Sequence, residues 1–321
     1  MKNDPIKLRT IFMGTSSFSR IILEGLIKAN YNIISVYTQP DKKTGREQEI
    51  SESSVKLFAE KNHLAVKQIE CFDQDSILDL QNQKPDLIIV VAYGKILPQE
   101  VLAIPGFGAL NIHASLLPKF RGPSPIQNAI LSGEKEIGTT IMLMDKGIDS
   151  GDIIAQDKLR IEPEELLPEI MDKLAFLSSE LLLKTLPLWI DRKITPKKQD
   201  PSQATFCQLI ERSDGRIFWN EEARSIFNRF RAFHPWPGIF TFWEDESGTL
   251  RRIKLNKIGL SENEAPSDIH VGQVFQDQGD ISVKTSRGTI LLKTVQIEGK
   301  KPSEISEFLN GYGKFLGSVL K

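Results

Sequence analysis

The fold is decided by DLIIVVA, the stretch Asp86–Ala92. After its first residue the stretch is apolar without alternation, which is typical of strands covered on both faces in a parallel sheet. Two more strands are predicted at Leu8–Met13 and Ile33–Tyr37, and between them Phe18–Ala29 carries apolar residues at helical spacing. This alternation predicts an α/β fold with a doubly wound, mostly parallel sheet.

The same pattern continues through the first half of the chain. Predicted strands at Leu110–Ala114 and Thr139–Leu143 and a long helix at Pro163–Lys184 complete a domain over residues 6–188. Residues 189–208 are predicted to be a linker, because Ile194–Ala204 is polar, contains two prolines and has no periodicity.

Residues 209–321 have a different character. A predicted helix at Glu221–Phe233 is followed by short strands separated by turns. The predicted strands are Ile239–Trp243, Arg252–Ile258, Gly272–Phe275, Ile281–Thr285 and Thr289–Val295. Strands at this spacing predict a small antiparallel barrel.

Composition agrees with a globular chain of two domains. The chain has 321 residues, of which 26% are charged and 40% hydrophobic, and domains average roughly 150 residues. The formal net charge is −1, so an RNA partner would have to be bound by local basic patches.

Cysteine, histidine and hydropathy patterns exclude several classes. Cys71 and Cys207 are the only cysteines, and the four histidines lie in separate segments, so we expect neither disulfides nor a metal site. The first ten residues are polar, and no window approaches the roughly 20 apolar residues of a membrane span. We therefore expect a cytoplasmic protein without membrane association.

The best candidates for chemistry are Asn111 and His113, near the end of a predicted strand. Their spacing of two places both side chains on one face, and open α/β sheets bind ligands at the carboxyl ends of their strands. The amide and the imidazole can both donate to a developing oxyanion, and imidazole can move protons near neutral pH. The alternative is a histidine that only satisfies local hydrogen bonds.

A carboxylate aimed at His113 would favour its protonated donor form. Asp145, Asp149 and Asp152 lie in one glycine-rich loop between predicted strands. Loop aspartates often cap turns instead, and spacing alone does not choose among the three.

Several segments resemble the folate-dependent formyltransferase family. They are Asn111–Pro118 (NIHASLLP), Arg121–Gly122, Pro125–Gln127 and Gly147–Asp152. The resemblance implies that Asn111, His113 and Asp149 are catalytic, with Asn111 and cationic His113 stabilising an oxyanion and Asp149 orienting His113. It also implies 10-formyltetrahydrofolate as cosubstrate, with no metal. The implied folate contacts are Ser115, Leu116, Leu117 and Pro118, and the backbone of Val90, Val91, Ala92 and Tyr93 is implied to line the pterin pocket.

Further motifs resemble one branch of that family. They are Thr38–Asp41 with Gly45–Arg46, Asp214–Ile217, and Arg231–Phe233 before Pro235–Gly238. This branch is expected to transfer the formyl group to the free amino group of methionyl-initiator tRNA, giving N-formylmethionyl-tRNA for translation initiation. The resemblance also implies that residues 209–321 form an OB-like, tRNA-binding barrel, and we expect a monomer.

Three residues are predicted to contact tRNA. Arg46 lies in the loop that the resemblance places on the acceptor end, although acidic Glu47 and Glu49 stand where the family usually has basic or small residues. Arg252 and Lys254 alternate on one predicted barrel strand and should share a face. The alternative for this basic strand is a solvated edge that discourages sheet aggregation.

Two other functions remain open at this point. A formyltransferase acting on a sugar-nucleotide amine or on glycinamide ribonucleotide would share Asn111, His113 and Asp149 but lack the long loop and the barrel. A non-catalytic RNA-binding protein would use the barrel alone.

Overall fold

The computed structural model describes residues 5–44 and 49–321. They form two compact units. The first unit contains the described residues up to Ile126, together with Lys135–Glu162 and Glu169–Gln208. The second contains Gln127–Glu134, Pro163–Pro168 and Leu209–Lys321.

The first unit is built on strands β1 to β9. They are β1 (Thr10–Gly14), β2 (Ile33–Thr38), β3 (Lys42–Thr44), β4 (Glu49–Ser51), β5 (Val66–Gln68), β6 (Leu87–Val91), β7 (Ala109–His113), β8 (Glu136–Leu143) and β9 (Ile153–Arg160). Seven of them form one sheet in the order β5-β2-β1-β6-β7-β8-β9. The pairs from β5 to β7 are parallel, and β8 and β9 are antiparallel additions at one edge. Every residue of β1 and β6 is buried, which confirms the mostly parallel sheet covered on both faces.

The described residues form helices α1 to α8, three of which begin at a side-chain cap. They are α1 (Ser17–Lys28), α2 (Ser54–Lys61), α3 (Gln74–Asn82), α4 (Gln99–Leu102), α5 (Pro125–Leu131), α6 (Leu167–Ile190), α7 (Ala223–Phe233) and α8 (Ile305–Gly311). The side chains of Ser16, Ser53 and Asp73 accept hydrogen bonds from the first turns of α1, α2 and α3, which satisfies otherwise unpaired backbone N–H groups.

Helix α6 differs from the sequence prediction at both ends. It begins at Leu167 instead of Pro163, and it continues through Pro187 to Ile190 instead of ending at Lys184. Pro187 has no N–H to donate to the Leu183 carbonyl, so the helix continues past it with one backbone hydrogen bond fewer. Leu186 and Ile190 beside it are buried, so packing favours the additional turn. No helix among the described residues is long and apolar enough to cross a membrane.

The loop predicted to reach the tRNA contains a two-stranded hairpin of β3 and β4. The hydroxyls of Thr38 and Ser53 are 2.7 Å apart at its base. Arg46 and Glu47 lie outside the described residues, and Glu49 is the first residue of β4.

The second unit is an antiparallel sheet. Its strands are β10 (Ile239–Glu244), β11 (Leu250–Leu260), β12 (Val274–Asp277), β13 (Asp280–Lys284), β14 (Thr289–Ile297) and β15 (Ser303–Glu304). The order is β10-β11-β14-β13-β12, with β15 on β14. The last residues pair with both edges, because Lys321 exchanges hydrogen bonds with Phe242 and the Ser318 carbonyl accepts from the N–H of Val274. These bonds connect the edge strands and confirm a small barrel.

Candidate active site

Asn111 and His113 lie at the carboxyl end of β7, between parallel β6 and antiparallel β8. Asn111 is opposite Val90, and Ile112 between the two polar residues is buried. Both side chains therefore share one face of the sheet, on the edge where β6 also ends. His113 is 6% exposed, so its ring is largely shielded from bulk water.

Asp149 reaches both residues from the loop between β8 and β9. Its Oδ1 accepts a hydrogen bond from Asn111 Nδ2 at 3.2 Å, and its Oδ2 accepts one from the backbone N–H of Gly122 at 2.8 Å. The same Oδ2 lies 3.5 Å from His113 Nδ1. Asp145, by contrast, accepts from Gly147 N–H and the Ser150 hydroxyl within its own loop. The geometry thus distinguishes Asp149 from Asp145, which spacing did not.

The orientation of the His113 ring is set by a residue that sequence reasoning missed. His113 Nε2 lies 2.9 Å from the Phe120 carbonyl oxygen. A carbonyl only accepts, so Nε2 carries a proton and donates it, and Nδ1 is the nitrogen that faces Asp149. A main-chain contact of this kind leaves no signal in the residue type at position 120.

The segment Ser115–Pro118 is held by hydrogen bonds of the Ser115 and Thr140 hydroxyls. Ser115 donates its hydroxyl proton to the Lys119 carbonyl at 2.7 Å, and the N–H of Leu117 donates to Thr140 at 3.1 Å. Ser115 and Leu117 are buried, and Leu116 and Pro118 are partly exposed. Of the four side chains predicted to contact folate, those of Leu116 and Pro118 are therefore the most accessible.

Residues Val90–Tyr93 end β6 beside the same edge. The side chains of Val90, Val91 and Tyr93 are buried, whereas Ala92 is exposed and has a φ of 41°. The Val91 carbonyl accepts from the Ser19 hydroxyl. The Tyr93 carbonyl accepts from the Thr15 hydroxyl and the Gln39 amide, both at 3.0 Å. Backbone atoms and Ala92 are thus what this segment presents to a ligand.

The two predicted tRNA contacts on the barrel lie on one face of β11. Arg252 and Lys254 alternate with buried Ile253 and Leu255. The Arg252 guanidinium lies over the Phe240 ring, with Cζ 3.6 Å from its centroid. Arg252 therefore combines a positive charge with a packing role against the sheet.

Burial suppresses the ionisation of two groups in the first unit, Cys207 and Tyr93. Burial and the nearby Asp149 charge raise the pKa of the Cys207 thiol to about 11, and burial raises the pKa of Tyr93 to about 12. Neither is a nucleophile at neutral pH. The described part of the chain contains no group of His, Cys, Asp and Glu side chains that could hold a metal ion.

Two solved structures with this fold were determined with a bound folate. An N-formyltransferase from Helicobacter canadensis, solved with folinic acid and dTDP-3-aminofucose, superposes with a TM-score of 0.66 at 18% identity, covering 89% of this chain and 98% of that one. HypX from Aquifex aeolicus, solved with tetrahydrofolic acid, gives 0.62 at 18% identity and covers 96% of this chain but 47% of the other. At this identity the likeness establishes the fold.

Sequence comparison is more specific. Residues 7–186 match the family described as formyl transferase, and residues 209–313 match the formyl transferase C-terminal domain. The methionyl-tRNA formyltransferase of Caldanaerobacter subterraneus is 38% identical over 98% of this chain and 100% of its own length. That of Caldicellulosiruptor saccharolyticus is 39% identical over 97% and 99%. The chain therefore belongs to the formyl transferase family and, within it, to the methionyl-tRNA formyltransferases.

Proposed function

We propose that this chain transfers the formyl group of 10-formyltetrahydrofolate to the free amino group of methionyl-initiator tRNA. The observation that carries the proposal is the convergence of Asn111, His113 and the Gly122 N–H on the Asp149 carboxylate, within 3.5 Å. Two donor-bearing side chains and one carboxylate are the groups that an acyl transfer from nitrogen to nitrogen needs.

The reaction follows from these groups. The neutral amine attacks the formyl carbon, a C–N bond forms, and the carbonyl electrons move to oxygen. The second N–H of Asn111 and a proton on His113 Nδ1 stabilise this oxyanion. Asp149 takes a proton from the attacking nitrogen and passes it, through water, to N10 of the folate as the old C–N bond breaks. The products are the formylated amine and tetrahydrofolate, so atoms and charges balance.

The folate is proposed to bind along the two segments that flank this trio. The backbone of Val90–Tyr93 would exchange hydrogen bonds with the pterin ring. The small side chain of Ala92 would leave room for this ring. Ser115, Leu116, Leu117 and Pro118 form the opposite wall, in which Ser115 and Leu117 hold the backbone and Leu116 and Pro118 touch the ligand. No metal takes part in this scheme.

The division of labour along the chain is part of the proposal. Residues 6–188 would bind folate and catalyse transfer, residues 189–208 would connect, and residues 209–321 would bind tRNA. Arg46 would contact the acceptor end, and Arg252 and Lys254 would contact phosphates. The protein would act as a monomer in the cytoplasm, where aminoacylated initiator tRNA is made.

The test is a comparison of acceptors. Purified protein with 10-formyltetrahydrofolate should make formylmethionyl-tRNA and should leave a dTDP-amino sugar and glycinamide ribonucleotide unmodified. Formylation of the sugar amine alone would instead assign the chain to the sugar-modifying enzymes. Binding of tRNA without any formyl transfer would favour a non-catalytic RNA-binding protein.

A further inference from the structure

The main chain of the Asp149 loop accepts hydrogen bonds from a side chain of the predicted linker. Gln199 is 8% exposed, and its amide nitrogen donates to two main-chain carbonyls, those of Asp149 at 2.9 Å and Gly151 at 2.7 Å. Asp149 itself has a φ of 47°, a left-handed conformation that few residues other than glycine adopt without support. The Gln199 amide supplies such support at the residue that carries the carboxylate.

The other end of the Gln199 amide is also engaged. Its oxygen accepts from Nε and from a terminal nitrogen of Arg121, at 3.1 and 2.7 Å. Arg121 is 7% exposed, so this is a buried, charge-assisted contact. Gln199 therefore uses both of its amide hydrogens and its oxygen to join the Asp149 loop to the segment that contains Arg121.

The segment containing Arg121 is in turn the one that fixes the catalytic side chains. Phe120 supplies the carbonyl that orients His113, and Gly122 supplies the N–H that binds Asp149. The backbone of Arg121 pairs with the chain after Gln199, accepting from Cys207 N–H at 2.7 Å and donating to the Thr205 carbonyl at 2.8 Å. Three chain segments thus form a closed frame around the carboxylate.

We infer that Gln199 is a positioning residue for formyl transfer, which fixes the main chain of the Asp149 loop so that the carboxylate stays directed at Asn111 and His113. The inference rests on the proposed function. Gln199 does not touch the reacting atoms, so its loss changes the rate of the chemical step and leaves the binding of both substrates intact. A misplacement of about 1 Å at a reacting group costs up to 10²-fold in rate.

The experiment is a single-turnover and steady-state comparison of Gln199→Ala and Gln199→Glu with the wild-type enzyme. Glu keeps an oxygen that can accept from Arg121 but has no N–H to donate to the loop carbonyls. This variant therefore distinguishes the effect of losing the loop hydrogen bonds from the effect of losing the Arg121 contact. We expect kcat to fall by about tenfold or more in both variants, with KM for folate and for methionyl-tRNA within about threefold. The matched control is Gln203→Ala, because Gln203 is exposed in the same segment and its side chain bonds to Asp200.

Each outcome decides between the alternatives. Unchanged kcat in Gln199→Glu, or a change confined to KM, would overturn the role of Gln199. If Gln199→Ala does not fold, Gln199→Glu alone decides, with its melting temperature as the check on folding. A wild-type enzyme that forms no formylmethionyl-tRNA would overturn the proposed function instead.

Discussion

The edge of the parallel sheet and the basic face of the barrel use polar side chains in different ways. At the sheet edge, Asn111 donates a hydrogen bond to Asp149, and the main chain of Phe120 and Gly122 holds His113 and Asp149 in place. On the barrel, Arg252 lies on an aromatic ring, and Lys254 is half-buried on the same face. Catalysis at the sheet edge is sensitive to displacements on the order of a few tenths of an ångström. Binding of phosphates by the barrel depends instead on the number of positive charges. We therefore expect steep effects of single changes at the sheet edge and graded effects on the barrel.

The largest effect is expected at the catalytic trio. Asn111→Ala, His113→Ala and Asp149→Ala should each lower kcat by roughly 10²-fold or more, because one donor to a developing oxyanion is typically responsible for that much. Single-turnover formylation at saturating folate measures the effect, and circular dichroism checks the fold. If His113→Ala turned over like the wild type, single changes at the sheet edge would not have the steep effects that set it apart from the barrel.

A smaller effect is expected at Gly122. Its φ is +111°, and a Cβ there would lie 2.6 Å from the Cys207 carbonyl oxygen. Gly122→Ala should reduce the free energy of unfolding by about 1–3 kcal/mol and lower kcat by about tenfold, since the N–H that binds Asp149 moves. Gly106→Ala is the control, because a Cβ there meets nothing within 4 Å. Equal melting temperatures and rates in the two variants would contradict the close approach at Gly122.

The barrel should respond through salt dependence. In Arg252→Ala/Lys254→Ala, the slope of log affinity for tRNA against log salt should become shallower by roughly one for each phosphate that is no longer neutralised, with kcat retained. The control Lys158→Ala/Lys184→Ala removes the same charge from exposed side chains of the first unit. An identical slope in both pairs would favour a solvated edge over a phosphate site.

The smallest effect separates the charge of Arg252 from its packing. Arg252→Lys keeps the charge but loses the planar stacking on Phe240. It should lower the free energy of unfolding by about 0.5–1 kcal/mol and leave the salt slope unchanged. Thermal denaturation beside Arg160→Lys, an 80% exposed side chain, measures the difference. A changed salt slope with an unchanged free energy of unfolding would show that the Arg252 side chain matters for tRNA binding and not for packing on Phe240.

Much of this architecture is accessible from the sequence because it depends on local pattern. Unbroken apolar runs predicted β1, β2 and β6, and a spacing of two residues predicted that Asn111 and His113 share a face. The sequence predicts a strand after the Asp149 loop but not its bounds. Ile153–Arg160 forms this strand, β9, and its exposure alternates at the sheet edge because only one of its faces packs. The hairpin of β3 and β4 was missed because three-residue strands carry too little pattern.

What the sequence could not supply are contacts between distant segments. Gln199 lies 50 residues from Asp149 and 78 from Arg121, in a polar stretch whose composition indicates a linker. Its residue type is compatible with solvent exposure, and only the fold brings it to the loop. The role of Phe120 is equally invisible, since any residue offers a carbonyl.

The pairing of Phe120 with Thr205 joins positions 85 residues apart, and this has a consequence for synthesis on the ribosome. At about 5–20 residues per second, the loop that contains Asp149 waits several seconds for its last neighbours. All seven strands of the sheet are made by Arg160, so a nascent chain of 188 residues already contains the complete sheet without Gln199, Thr205 or Cys207. The contacts that Gln199 makes to the Asp149 loop, and those that Thr205 and Cys207 make to Arg121, can therefore form only after all the sheet strands have been synthesised.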